Sequence, residues 1–127
     1  MRVQHLFNRR LSKMPVIKFD PHQSNFMIHG DRRFFLISLY NSTFLVRDNC
    51  PHRGGPLHLG YFNCQNNAIV CPWHNSAVSV HRLQQLAMPL VWRNDVAIAV
   101  IPGAESTPIA FKHRYIMVDP EIGCNGG

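Results

Sequence analysis

No stretch of this 127-residue chain stays apolar for long. The longest such runs, Phe34–Leu39 and Val96–Ile101, fall far short of the ~20 residues a helix needs to span a bilayer, so no membrane span is expected. Charge is scarce as well: Asp, Glu, Lys and Arg make up 16% of the residues, low for a soluble domain. The thirteen Lys and Arg are scattered and form no dense basic run. The formal net charge of +6 therefore points toward steering onto acidic protein surfaces and away from nucleic acid. Repeats, low-complexity tracts and long helical periodicity are missing. Arg9-Arg10-Leu11 has the look of a twin-arginine signal, yet Lys13, Pro15, Lys18, Asp20 and Pro21 interrupt any apolar region after it. A signal peptide is not expected, and the location expected is cytoplasmic. The length suits one domain, monomeric when free.

Short β-like runs separated by turn residues are present instead. Val16–Phe19, Asn25–His29, Arg33–Tyr40 and Thr43–Arg47 are rich in Val, Ile, Phe and Tyr, and Asp20-Pro21, Gly30-Asp31 and Asn41-Ser42 punctuate them. Tyr61–Cys64 and Ala68–Cys71 flank Gln65-Asn66-Asn67 as a hairpin. Ala77–His81 alternates like a strand, and Leu90–Arg93 and Val96–Ile101 flank the two-residue turn Asn94-Asp95. The expected class is all-β, a sandwich or small barrel. Residues 1–14 read either as a basic arm for a partner or membrane surface, with Val3, Leu6, Phe7, Leu11 and Met14 on one possible helical face, or as a frayed terminus. Beyond Pro102-Gly103, Ile109–Val118 reads as one more strand. Three roles stay open for that tail: covering a sheet edge, docking a partner, or partial disorder.

Two pairs of metal-ligand residues carry the chemistry, Cys50-Pro51-His52 and Cys71-Pro72-Trp73-His74. In each, a thiolate and an imidazole stand close enough for one tight turn to aim both into a small volume. Thiolates favour iron–sulfur chemistry, zinc or Cu(I), and imidazole suits zinc, copper or iron. Structural zinc knuckles usually bring two like ligands each, as C-x2–4-C or H-x3–5-H. Here each knuckle offers one Cys and one His, the combination of a [2Fe–2S] cluster in which two His replace two Cys on one iron.

Cys50-Pro51-His52-Arg53-Gly54-Gly55-Pro56-Leu57 and Cys71-Pro72-Trp73-His74-Asn75-Ser76 resemble the two cluster-binding loops of the Rieske iron–sulfur family. The resemblance extends over 15–102, with the loops themselves within 50–76. It implies an antiparallel β-sandwich with a smaller cluster-binding subdomain, between the basic arm and a C-terminal extension, 103–127. It also implies that Cys50 and Cys71 hold one iron of a [2Fe–2S] cluster while His52 and His74 hold the other. Gly54, Gly55 and Gly60 are expected to let backbone approach the cluster closely. Leu57 and Trp73 are expected to shield it from water, and Ser76 to donate a hydrogen bond to a sulfur. An imidazole ligand keeps a second ring nitrogen, so the outer edges of His52 and His74, with Arg53 beside them, become the docking surface for a redox partner.

Two departures separate the chain from the respiratory branch. Gly55 and Trp73 stand where that branch has disulfide-forming Cys, and Val78 stands where it has a Tyr donor. Fewer donors imply a potential in the lower to intermediate part of the family span of roughly −150 to +300 mV. The stretch Asn75–Leu86 also lacks the family's aromatic–Asp pair and Gly-containing turn, leaving Pro89 alone to represent the proline-bearing loop over the cluster. No 2-His-1-carboxylate triad of an oxygenase domain is evident among the remaining His. The resemblance therefore implies an electron carrier between a reductase and a terminal oxygenase, without substrate catalysis of its own. The alternatives are a tightly bound Rieske subunit of a larger oxidoreductase and a non-redox zinc module. For Cys64 and Cys124 a disulfide stays open, with two free thiols in a reducing cytosol as the expectation.

Overall fold

The fold is that of a computed structural model that describes residues 14–39, 41–51 and 54–118. The N-terminal arm up to residue 13, His52, Arg53 and Cys124 lie outside the described residues. Among the described residues, ten strands run β1 (Val16–Phe19), β2 (Phe26–His29), β3 (Arg32–Leu39), β4 (Ser42–Arg47), β5 (Tyr61–Asn63), β6 (Ala68–Val70), β7 (Ala77–Ser79), β8 (Leu90–Arg93), β9 (Val96–Val100) and β10 (Ile109–Lys112). A single helix, α1 (Val80–Leu86), stands among the described residues. No helix there is long and apolar enough to cross a membrane.

The strands form three antiparallel sheets, ordered β1-β9-β8, β10-β2-β3-β4 and β5-β6-β7. The four-stranded sheet is central because both of its faces are buried. Phe34, Leu36, Met27 and Leu45 pack against Ile17, Phe19, Ala97 and Ala99 of the first sheet. Phe26, Phe35, Ile37, Leu39 and Val46 face the other way, into a core with Ile69, Val78, Val80 and Leu83 of the small third sheet and α1. Double-sided burial accounts for the unbroken apolar run in β3, where simple alternation would indicate one wet face. The all-β class expected from the sequence is the class observed.

Turn chemistry closes the hairpins. Asn94 adopts φ +57°, a left-handed conformation that Asn tolerates and that fits the two-residue turn between β8 and β9. Asn67 at φ +52° serves the turn before β6 in the same way.

Two expectations need correction. Ala77–His81 is only half a strand: the chain turns at Ser79, whose hydroxyl accepts the Arg82 N–H at 3.1 Å and caps α1. Val80 and Leu83 face the core three residues apart, too few positions to show a helical period in the sequence. Ile109–Val118 is likewise strand only as far as Lys112. Of the roles left open for the tail, sheet-edge cover is the one seen: β10 pairs antiparallel with β2, and Val118 is buried in the same core as Cys50 and Cys71.

Candidate functional site

The two Cys-His segments occupy connections at one end of the third sheet. The first leaves β4 and reaches β5 through a 3-10 turn at Leu57–Leu59. The second is the tight connection from β6 to β7.

The loops share one hydrogen-bond frame, which the sequence did not reveal. In the first, the Cys50 N–H donates to Gly55 O at 2.9 Å, and the Gly54 N–H donates to Cys50 O at 2.8 Å. In the second, the Cys71 N–H donates to Ser76 O at 2.9 Å, and the Asn75 N–H donates to Cys71 O at 3.0 Å. Each cysteine thus bonds to residues four and five positions ahead. The fourth position has positive φ in both loops, +76° at Gly54 and +54° at Asn75. Gly and Asn are the residues that take this conformation at least cost, so two different sequences close the same turn.

Within that frame the donors divide between inside and outside. Cys50 and Cys71 are free thiols, 2% and 0% exposed, in one apolar core. Pro72, Trp73, His74 and Asn75 are all exposed. Sulfur therefore faces the interior, and the imidazole of His74 faces solvent. Leu57 lies in the core with both cysteines. Trp73 leaves 60% of its surface to solvent, so its shielding is confined to the face resting on Gly55. Ser76 is half-buried and accepts the Cys71 N–H through its carbonyl.

Gly55 joins the two loops. A Cβ placed there would lie 2.5 Å from the Cys71 Sγ and 3.3 Å from the Trp73 ring, so only glycine lets the first loop lie against the second cysteine. This position, read from the sequence as one missing a disulfide cysteine, is a place with no room for any side chain.

Among the described residues, no three His, Cys, Asp or Glu gather closely enough to hold a single metal ion. The donor chemistry fits a dinuclear group. Two thiols on the inside and imidazole on the outside match a cluster whose irons take different ligand pairs. Cys64, expected as a free thiol, is disulfide-bonded. Its place in a short polar turn did not favour that, since pairing depends on the distance and direction of a second cysteine.

Sequence reasoning also passed over Asp48. It is buried two residues before Cys50, with its carboxylate on His58. The partner lies ten residues away, and a lone Asp beside a Cys carries no pattern that would announce it.

No curated protein and no solved structure is similar enough to count as a match. The model of the Rieske [2Fe-2S] domain matches residues 13–89, from just before β1 to just past α1. Both loops, the glycine contact between them and all of the third sheet fall inside that match, which covers more than half of the chain. The chain belongs to the Rieske [2Fe-2S] domain family and carries the [2Fe–2S] cluster of that family.

Proposed function

We propose that the protein is a one-electron carrier in which Cys50 and Cys71 ligate the inner iron and His52 and His74 the outer one, passing electrons from a reductase to a terminal oxygenase. One observation carries this reading: two buried free thiols and an exposed imidazole sit on adjoining loops closed by the same hydrogen-bond frame. When bound, the cluster supplies a one-electron couple and no group transfer. The protein residues then have three tasks. The core around Cys50 and Cys71 excludes water, the loop frames fix the ligand directions, and His74 offers a path outward for the electron. Turnover of a substrate is assigned to the oxygenase partner.

The partner is proposed to be acidic where it docks. Beside the first loop lies a cavity of about 330 Å³ lined by Pro51, Leu57, Leu83, Leu86 and Met88, with Arg47 and Arg82 on its wall and no acidic residue among the described ones. Both guanidinium-bearing residues are exposed. Arg53 and His52 belong to the same proposed surface by sequence position. Stopped-flow reduction by a purified flavoprotein reductase of an oxygenase system tests this. The double variant Arg47→Glu, Arg82→Glu should slow transfer about ten-fold at low salt, within the range of electrostatic steering. The wild-type rate should fall as salt rises. Equal rates for both proteins at every ionic strength would contradict the docking surface.

A stable subunit of a larger oxidoreductase is the second reading. The outer face of the β1-β9-β8 sheet favours it, because Val16, Val91, Val96 and Ile98 are all exposed there. Residues 109–118 of the tail add nothing to that case, since they are used within the fold. The cytoplasmic setting is part of the same proposal. The disulfide at Cys64 weighs against it, because disulfides persist mainly in oxidising compartments.

A further inference from the structure

Asp48 and His58 sit at the two roots of the first ligand loop, ten residues apart. Asp48 is 1% exposed and His58 is 6% exposed. The His58 Nδ1–H donates to Asp48 Oδ2 at 2.7 Å, and the His58 backbone N–H donates to Asp48 Oδ1 at 2.9 Å. Both carboxylate oxygens are therefore engaged by one residue across the loop. The root itself is fixed to the central sheet: the Asp48 N–H donates to Arg33 O at 2.7 Å, and Arg33 Nη2 donates to Asp48 O at 3.1 Å. Arg33 Nε lies 3.4 Å from Asp48 Oδ2. On the far side, the His58 ring packs edge-on to Phe26 at 5.0 Å and lies 6.1 Å from the Phe35 ring.

The described part of the C-terminal extension reaches the same residue. Past β10, the Asn25 side chain clamps Arg114, accepting its N–H and donating to its carbonyl, each at 2.8 Å. The Arg114 guanidinium carbon then lies 4.4 Å from the centre of the Phe26 ring. The Met117 N–H donates to His58 O at 2.9 Å, and Val118 enters the core beside Cys50. Residues outside the matched family segment are thus tied to the loop that carries Cys50.

A buried carboxylate is costly unless its lone pairs are met, so this pair holds one arrangement and penalises others. We propose that Asp48 and His58 are positioning residues for the cluster, clamping shut the roots of the first ligand loop, and that Met117 fastens the C-terminal extension to that clamp. The inference rests on the first loop holding the cluster.

The test uses the full chain with its cluster bound, comparing His58→Phe and His58→Asn. Phe keeps a ring against Phe26 and Phe35 but removes the Nδ1–H donor, whereas Asn returns an N–H donor near the same place. In His58→Phe, chelator-driven bleaching should be about ten-fold faster, the scale expected when a buried carboxylate loses a donor and local opening grows easier. The reduced EPR lines should broaden and the midpoint potential should move away from wild type. His58→Asn should recover most of each change. A His58→Phe protein with wild-type bleaching, line width and potential, even at lower thermal stability, would overturn the proposal. Should that variant not fold, Met117→Pro removes the donor to His58 O while Met117→Ala keeps it, and only the Pro variant must accelerate bleaching; an unchanged rate in it overturns the proposal equally. A colourless wild-type protein would overturn the cluster reading beneath it and is thereby distinguished from failure of the clamp.

Discussion

Gly55→Ala should strip most of the iron from the protein while leaving its two larger sheets intact. The added methyl would stand 2.5 Å from the Cys71 Sγ, well inside contact distance. Trp73 can yield, being largely exposed, but Cys71 is fully buried and held in the core. Relief must come from moving the first loop off the second or from turning Cys71 away, and either change spoils a site that needs both thiols. Overpacking of this kind costs about 1–3 kcal/mol in stability, a modest loss beside the expected loss of function. Iron and acid-labile sulfide per chain, with a thermal melt, check this. A Gly55→Ala protein with wild-type iron content and an unchanged spectrum would contradict it.

Phe34→Ala and Phe35→Ala should destabilise the protein equally and affect the cluster unequally. Both rings are completely buried, and truncating a buried Phe costs about 3–5 kcal/mol. Against a total of roughly 5–15 kcal/mol that is severe, and the melting temperature should fall by about 10 °C or more. The neighbours differ because successive residues of β3 face opposite ways. Phe34 packs with Ile17, Ala97 and Ala99, in the core shared with the β1-β9-β8 sheet. Phe35 packs in the core of Cys50, Leu57 and Cys71 and lies beside the His58 ring. A cavity there should loosen the first ligand loop, broadening the reduced EPR signal and hastening cluster loss. At temperatures where both variants are folded, Phe34→Ala should give the wild-type signal. Indistinguishable signals from the two variants would show that the two cores are not mechanically separate.

Much of this organisation was legible from single residues. β1 and β8 have the bounds of the β-like runs read from the sequence, and the Asn94-Asp95 turn follows from Asn tolerating positive φ. The Cys-His spacing gave the family because two unlike ligands per turn suit few metal groups. The remainder was hidden for physical reasons. Phe34–Leu39 shows no alternation because both faces of the central sheet are covered, a fact about partners distant in sequence. Helix α1 is too short to show a period, and it occupies the stretch where the family pattern was missing. Asp48 carries no pattern because its bond to His58 depends on how the loop closes, and nothing local to the Cys64 turn distinguishes a bonded cysteine from a free one. Gly55 was noticed for the cysteine it lacks; only the packing shows that it must lack everything.

The central claim is that two thiolates and two imidazoles hold a two-iron cluster on these loops. Pulsed EPR of the dithionite-reduced wild-type protein tests it most directly. The expected result is a [2Fe–2S] signal with strong coupling to two nitrogens, one of which disappears in His74→Cys. A reduced cluster showing no nitrogen coupling, or a colourless protein holding one zinc per chain, would contradict it.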